Sequence, residues 1–175
     1  MRVYSWILLI GMFISLACQG CRPSIVDSRN LTPERRATIE NEVKRFTAVV
    51  AHDVTTQGPI AWRTHFADTS AFFMAVNGSL VFPDGNAAAN AIPEIASKFK
   101  RIELRWGDDL RFDVLTENLC VVAGSYIEDI DLKPGAEGPQ GKQSGYFTGL
   151  AENRHGQWQF RDAHWSASLV PMKTP

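Results

Sequence analysis

The sequence has no excess of either charge. Its 175 residues carry 18 Lys and Arg against 19 Asp and Glu, a net charge of −1. That balance leaves no basic patch for nucleic acid, and no nucleic-acid partner is expected. Histidine is scarce and scattered, at His52, His65, His155 and His164. None of these spacings suits a metal, and neither metal nor cofactor is expected. Cysteine is scarcer still. Cys18 and Cys21 sit together near the N-terminus, which leaves Cys120 alone in the apolar run L-C-V-V-A. A solitary Cys in such a run reads as a small core hydrophobe, and nothing around it suggests an activated thiol. No hydrophobic run is long enough to span a bilayer, since Trp6 to Leu16 falls well short of the roughly 20 residues required. Internal repeats and low-complexity domains are also missing.

What is present begins with a processing signal. Arg2 supplies a basic start, W-I-L-L-I-G-M-F-I-S-L an uncharged apolar stretch, and small residues lead to cysteine. This is the pattern of a signal peptide. Ile14-Ser15-Leu16-Ala17-Cys18 looks like a bacterial lipobox, whose cysteine is lipidated and becomes the new N-terminus. Cys21 is a second candidate, and plain secretion or an uncleaved anchor are the alternatives. The chain then divides into a signal peptide (1–17), a tether (18–30), one domain (31–170) and a tail (171–175). A lipid-anchored or periplasmic protein of the bacterial envelope is expected, with the acyl chain as its membrane partner.

The domain opens on a helix. Thr32 is placed to cap it, Pro33 suits its first position and Glu34 its positive end. Ile39, Val43, Phe46, Val49 and Val50 recur at helical spacing, and the helix is expected to end near His52 or Thr55. Gly58-Pro59 breaks it, and Pro59 starts a short helix reaching Phe66. Ala71 to Val76 reads as a strand, turned by Asn77-Gly78 into Ser79 to Phe82. A helix is expected over 86–100, regular from about Ala91 because Pro93 interrupts it. From Arg101 to Val114 the even positions are apolar and most odd ones charged, one face buried and one wet. Gly107-Asp108 marks a bend there. A further strand covers 118–132, and Lys133 to Gly141 is a loop. Gln143 to Leu169 forms a hairpin about Asn153-Arg154-His155-Gly156.

Two helices, a short hairpin, a third helix and long antiparallel strands define an α+β fold. This order resembles the nuclear transport factor 2-like superfamily, and its SnoaL-like branch in particular. The resemblance runs from about Thr32 to Leu169. It rests on F-A-D at Phe66 to Asp68, on A-F-F-M-A-V-N-G, and above all on G-Q-W-Q-F-R-D-A-H-W-S. Many family members end in a Trp-x-(Ile or Val)-x-x-x-His-x-Ser strand, matched here by Trp158, Phe160, His164 and Ser166. The resemblance implies a cone: a strongly bent mixed or antiparallel sheet wrapped around N-terminal helices, with an apolar pocket between them. It also implies a homodimer formed through the outer sheet face.

Strand alternation then suggests which residues face inward. Phe147, Gly149, Val121, Ala123 and Trp165 are assigned to the concave face, and Tyr126, Thr148 and His164 to the outer one. The expected pocket residues are Trp62, Phe66, Phe73, Trp106, Ser125, Phe147 and Trp165. Enzymes of this fold use an Asp or His inside the cone. The weak catalytic candidates are His65, His164 and its strand neighbour Asp162. Three functional readings stay open at this point. One is an envelope module binding a small hydrophobic ligand or a partner. The second is an isomerase, dehydratase or cyclase. The third is a dimerisation domain with a filled pocket.

Overall fold

The computed structural model describes residues 31–167. The signal peptide, the tether with Cys18 and Cys21, and the tail lie outside the described residues. Helix α1 (Pro33–Gln57) starts where Thr32 Oγ1 accepts a hydrogen bond from the Arg35 N–H at 3.2 Å. Ile39, Val43, Phe46, Val50 and Val54 are its buried stripe. The helix reaches Gln57 rather than stopping at His52 or Thr55. Val54 extends the apolar stripe by another turn, and the break comes only at Gly58, whose φ of 80° suits glycine. The stretch after Pro59 is a 3-10 turn (Pro59–Ala61) and a single helical turn, α2 (Trp62–His65).

Strands β1 (Phe73–Val76) and β2 (Ser79–Phe82) form the short hairpin, with Asn77 and Gly78 both at positive φ as a type I′ turn requires. Helix α3 (Gly85–Ser97) begins earlier than the proline suggested. Asp84 accepts from the Ala87 N–H at 2.7 Å and fixes the start, while exposed Pro93 is carried inside the helix. Burial of Ala88 and Ile92 offsets the hydrogen bond that the proline forfeits.

The long strands follow: β3 (Phe99–Trp106), β4 (Arg111–Thr116), β5 (Leu119–Leu132), β6 (Gly141–Arg154) and β7 (Gln157–Ala167). The expected strand over 101–114 is therefore two strands. Asp109 Oδ1 accepts from both the N–H and the hydroxyl of Ser125, at 2.9 and 2.6 Å, and pins the bend against β5. Gly107 sits against Ser125 where no Cβ fits. The sheet order is β2-β1-β7-β6-β5-β3, with β4 beside the first half of β5. β1 runs parallel to β7 and the other pairs are antiparallel. The result is an α+β fold with a strongly curved, unclosed sheet whose concave face covers the N-terminal helices.

Two face assignments need correction. In β5 the inward set is Cys120, Val122, Gly124, Tyr126 and Ile130, while Val121, Ser125 and Ile127 lie on the outer side and are only half-buried. Tyr126 therefore faces into the cone. Ala123, on the outer face, is buried too, opposite Arg111 of β4. Apolar residues at both parities hide the phase in this half of the strand. In β7 the pairing slips between Leu150 and Ala151 of β6, leaving Arg161 as an extra residue. Trp158 and Phe160 are inward before this bulge, Ala163 and Trp165 after it. The Trp158–His164–Ser166 row is thus split between faces, with His164 and Ser166 exposed.

Candidate functional site

Trp165 organises the interior. Its ring stacks on Trp106 at 5.7 Å between centroids and lies 4.6 Å from Phe147. It meets Trp62 edge-on at 5.5 Å and Tyr126 edge-on at 4.7 Å. Trp106 is anchored from below, where its Nε1–H donates to the Thr47 carbonyl of α1 at 2.8 Å. Trp62 in turn stacks on Phe66 at 4.8 Å. This aromatic layer closes the narrow part of the cone. Beyond it opens a cavity of about 470 Å³.

The cavity lies between the sheet and α3. α2 contributes Trp62 and the residue after it, Phe66; α3 contributes Ile92 and Ile95; the hairpin contributes Met74, Val76, Val81 and Phe82. From the long strands come Ile102, Ile130, Trp165 and two polar residues, Tyr126 and Glu128. Gln143 and Asn77 also reach the lining. Asn77 is committed to the fold, since its Oδ1 accepts from the Ala167 N–H at 2.8 Å.

Glu128 lies across from Leu104 on β3 and Gln143 on β6, next to Ile130 on its own strand. Among the described residues its carboxyl has no hydrogen-bond or ion-pair partner. Burial alone pushes it up to about 7. Tyr126 is pushed up to about 12 by burial and by the neighbouring Glu128 charge. Room for the Tyr126 hydroxyl depends on Gly145, where a Cβ would lie 2.8 Å from it.

Three of the expected pocket residues, Trp62, Phe66 and Trp165, line the cavity. Trp106 and fully buried Phe147 stand behind Trp165 rather than on the lining. Phe73 is 43% exposed on the outer side of β1, and its buried neighbour is Phe72. Ser125 is turned outward to Asp109. Of the acid–base candidates, none lines the cavity. His65 is 7% exposed, with Nε2 3.0 Å from Asp53 Oδ2 and its ring edge-on to Phe46. Burial lowers its affinity for a proton, and the Asp53 carboxylate opposes that in part. His164 is exposed on the outer face. Asp162, on the same face beside Phe73, has one buried carboxylate oxygen without a partner, and burial raises it above the usual carboxylate range. Cys120 is buried and pushed up to about 12, an inert thiol.

Strand alternation set Tyr126 on the outer face, and nothing in the spacing singled out Glu128. A signal for them existed at the far end of β5. Asp129 and Asp131 there carry the wet face, bonding Arg101 of β3 at 3.1 Å each. That leaves Tyr126, Glu128 and Ile130 on the dry one.

No family model and no curated protein matches the chain. Solved structures do. A candidate scytalone dehydratase from Novosphingobium aromaticivorans matches with a TM-score of 0.66 at 12% identity, over 79% of this chain and 89% of that one. A nuclear transport factor 2-like superfamily protein from Salmonella enterica matches with a TM-score of 0.61 at 10% identity, over 79% and 99%. The type 3 hexachlorocyclohexane dehydrochlorinase of Novosphingobium barchaimii matches with a TM-score of 0.58 at 12% identity, over 82% and 99%. At these identities the likeness establishes the fold, which is nuclear transport factor 2-like, and leaves function to the site.

Proposed function

We propose that the protein binds a small, largely apolar molecule in the cone, as a SnoaL-like module held at the bacterial envelope by lipid on Cys18. The observation that carries the binding role is the cavity of about 470 Å³, whose walls are apolar apart from a few polar groups. Its size and chemistry are those of small-molecule sites. The Ile14 to Cys18 pattern supports the anchor. Exposed Phe73 and Tyr146 on the outer sheet face support a homodimer there. Native mass spectrometry of protein purified from its own membrane tests the binding role. A co-purified apolar molecule, lost when the cavity is filled by mutation, is expected; protein free of any such molecule at every concentration counts against it.

A second reading is favoured by Glu128. A carboxyl poised near neutrality in an apolar cavity is equipped to accept or donate a proton. Solved proteins of this fold include ones named as a dehydratase and a dehydrochlorinase. If the bound molecule is chemically changed on incubation and Glu128→Gln leaves it unchanged, this reading replaces simple binding.

A further inference from the structure

We infer that Tyr126 and Glu128 form a two-donor anchor, which selects neutral molecules bearing a hydrogen-bond-accepting oxygen on an apolar frame and rejects anionic ones. This rests on the cavity being a ligand site. Both residues lie on the inner face of β5, two positions and so about 7 Å apart along the strand, and both line the cavity. Among the described residues neither side chain has a hydrogen-bond partner. Glu128 is only half-buried, and both polar ends face the cavity, where an oxygen of the ligand can take the place of solvent.

The sign of the selectivity follows from what else lines the cavity. Among the described residues Glu128 is the only charged side chain there, and Tyr126 is the only other that titrates. Leu104 of β3 and Gln143 of β6 flank Glu128, and α3 and the hairpin oppose it with Ile92, Ile95, Val81 and Phe82. Among the described residues no Lys, Arg or His lines the cavity to balance an anion. A carboxylate ligand would therefore meet a carboxyl and a phenol among apolar walls, with no countercharge from the described residues. A carbonyl, ether or hydroxyl oxygen meets two O–H donors instead. Burial keeps Glu128 largely protonated below about pH 7, which makes it a donor there.

Calorimetric titration of the full chain with three probes on one frame tests this. The probes are 2-acetonaphthone, 2-ethylnaphthalene and 2-naphthoate. In mildly acidic buffer the ketone should bind roughly tenfold more tightly than the hydrocarbon, and the naphthoate more weakly than either. Raising the pH through about 7 should erode the ketone's advantage as Glu128 ionises. Glu128→Gln keeps a donor and should keep the preference while losing its pH dependence. Tyr126→Phe and Glu128→Leu should each reduce the ratio of ketone to hydrocarbon affinity. If the hydrocarbon binds and the ketone has no advantage, or the naphthoate binds best, the anchor is wrong and the cavity reading survives. If none of the three binds at any pH, the cavity reading falls and the anchor with it.

Discussion

Trp165 and Tyr126 meet edge to face with ring centroids 4.7 Å apart, although they lie on strands separated by β6. The contact crosses Gly145, which pairs with both Tyr126 and Ala167 and carries no side chain to obstruct it. It ties the cavity's polar wall to the aromatic layer that closes the cone. Loss of Trp165 therefore removes packing against Trp62, Trp106, Tyr126 and Phe147 together. Trp165→Ala should cost about 3–5 kcal/mol in urea unfolding. Phe73→Ala, which the sequence placed in the same pocket, should cost under about 1 kcal/mol, because that ring is 43% exposed. Equal costs would contradict this division between layer and surface.

The contrast between these two aromatics shows what the sequence could reveal. Elements with one dry and one wet face were legible. α1, the Asn77-Gly78 hairpin and β3 follow from spacing, caps and turn chemistry. The site was less legible for two physical reasons. Apolar residues at both parities in Val121 to Ala123 erase the face signal, so Tyr126 was turned outward. The extra residue Arg161 then exchanges faces within β7, which no alternation rule anticipates. Glu128 was hidden for a third reason. Beside Asp129 and Asp131 it reads as part of an acidic strand end, and only the register with β3 separates it from them.

Asp53 and His65 join the C-terminal part of α1 to α2 through a bond of 3.0 Å away from the cavity. Asp53→Asn should destabilise the fold by about 1–2 kcal/mol at neutral pH. Asp53 opposes the burial that lowers His65 below its usual value of 6.5. Its removal should lower the His65 titration midpoint further, as read by NMR. A group whose proton affinity is depressed by folding costs stability when it must be protonated. The variant should therefore lose stability more steeply than the parent as pH falls below about 6.5. A His65 midpoint that rises in the variant would overturn the pairing.

Ile95 lines the cavity from α3 and is only half-buried. Ile95→Trp places its added volume in open space rather than against packed atoms, so stability should change by no more than about 1 kcal/mol. Binding of 2-ethylnaphthalene should nevertheless be abolished in calorimetry. A folded variant that binds the probe as well as the parent would place the ligand somewhere else.

Glu128 makes the cavity a source of pH-dependent stability. Its carboxyl titrates at about 7 in the folded chain, against an ordinary value of 4.5. Between these values the folded chain holds the proton more tightly than the unfolded chain does. Stability is therefore full below about 4.5 and falls as pH rises through about 7. At about 1.4 kcal/mol per pH unit, the loss is at most about 3–4 kcal/mol. Two other shifted groups add their own slopes: Asp162, raised by burial, slopes the same way, and His65, lowered by burial, the opposite way. The measurement is therefore the difference between the parent and Glu128→Gln in urea unfolding, taken from about pH 4 to about pH 8.5. The glutamine variant should gain on the parent as pH rises, with most of the gain between about 4.5 and about 7. A difference that stays flat across that interval would mean that Glu128 ionises in the folded cavity as freely as in water.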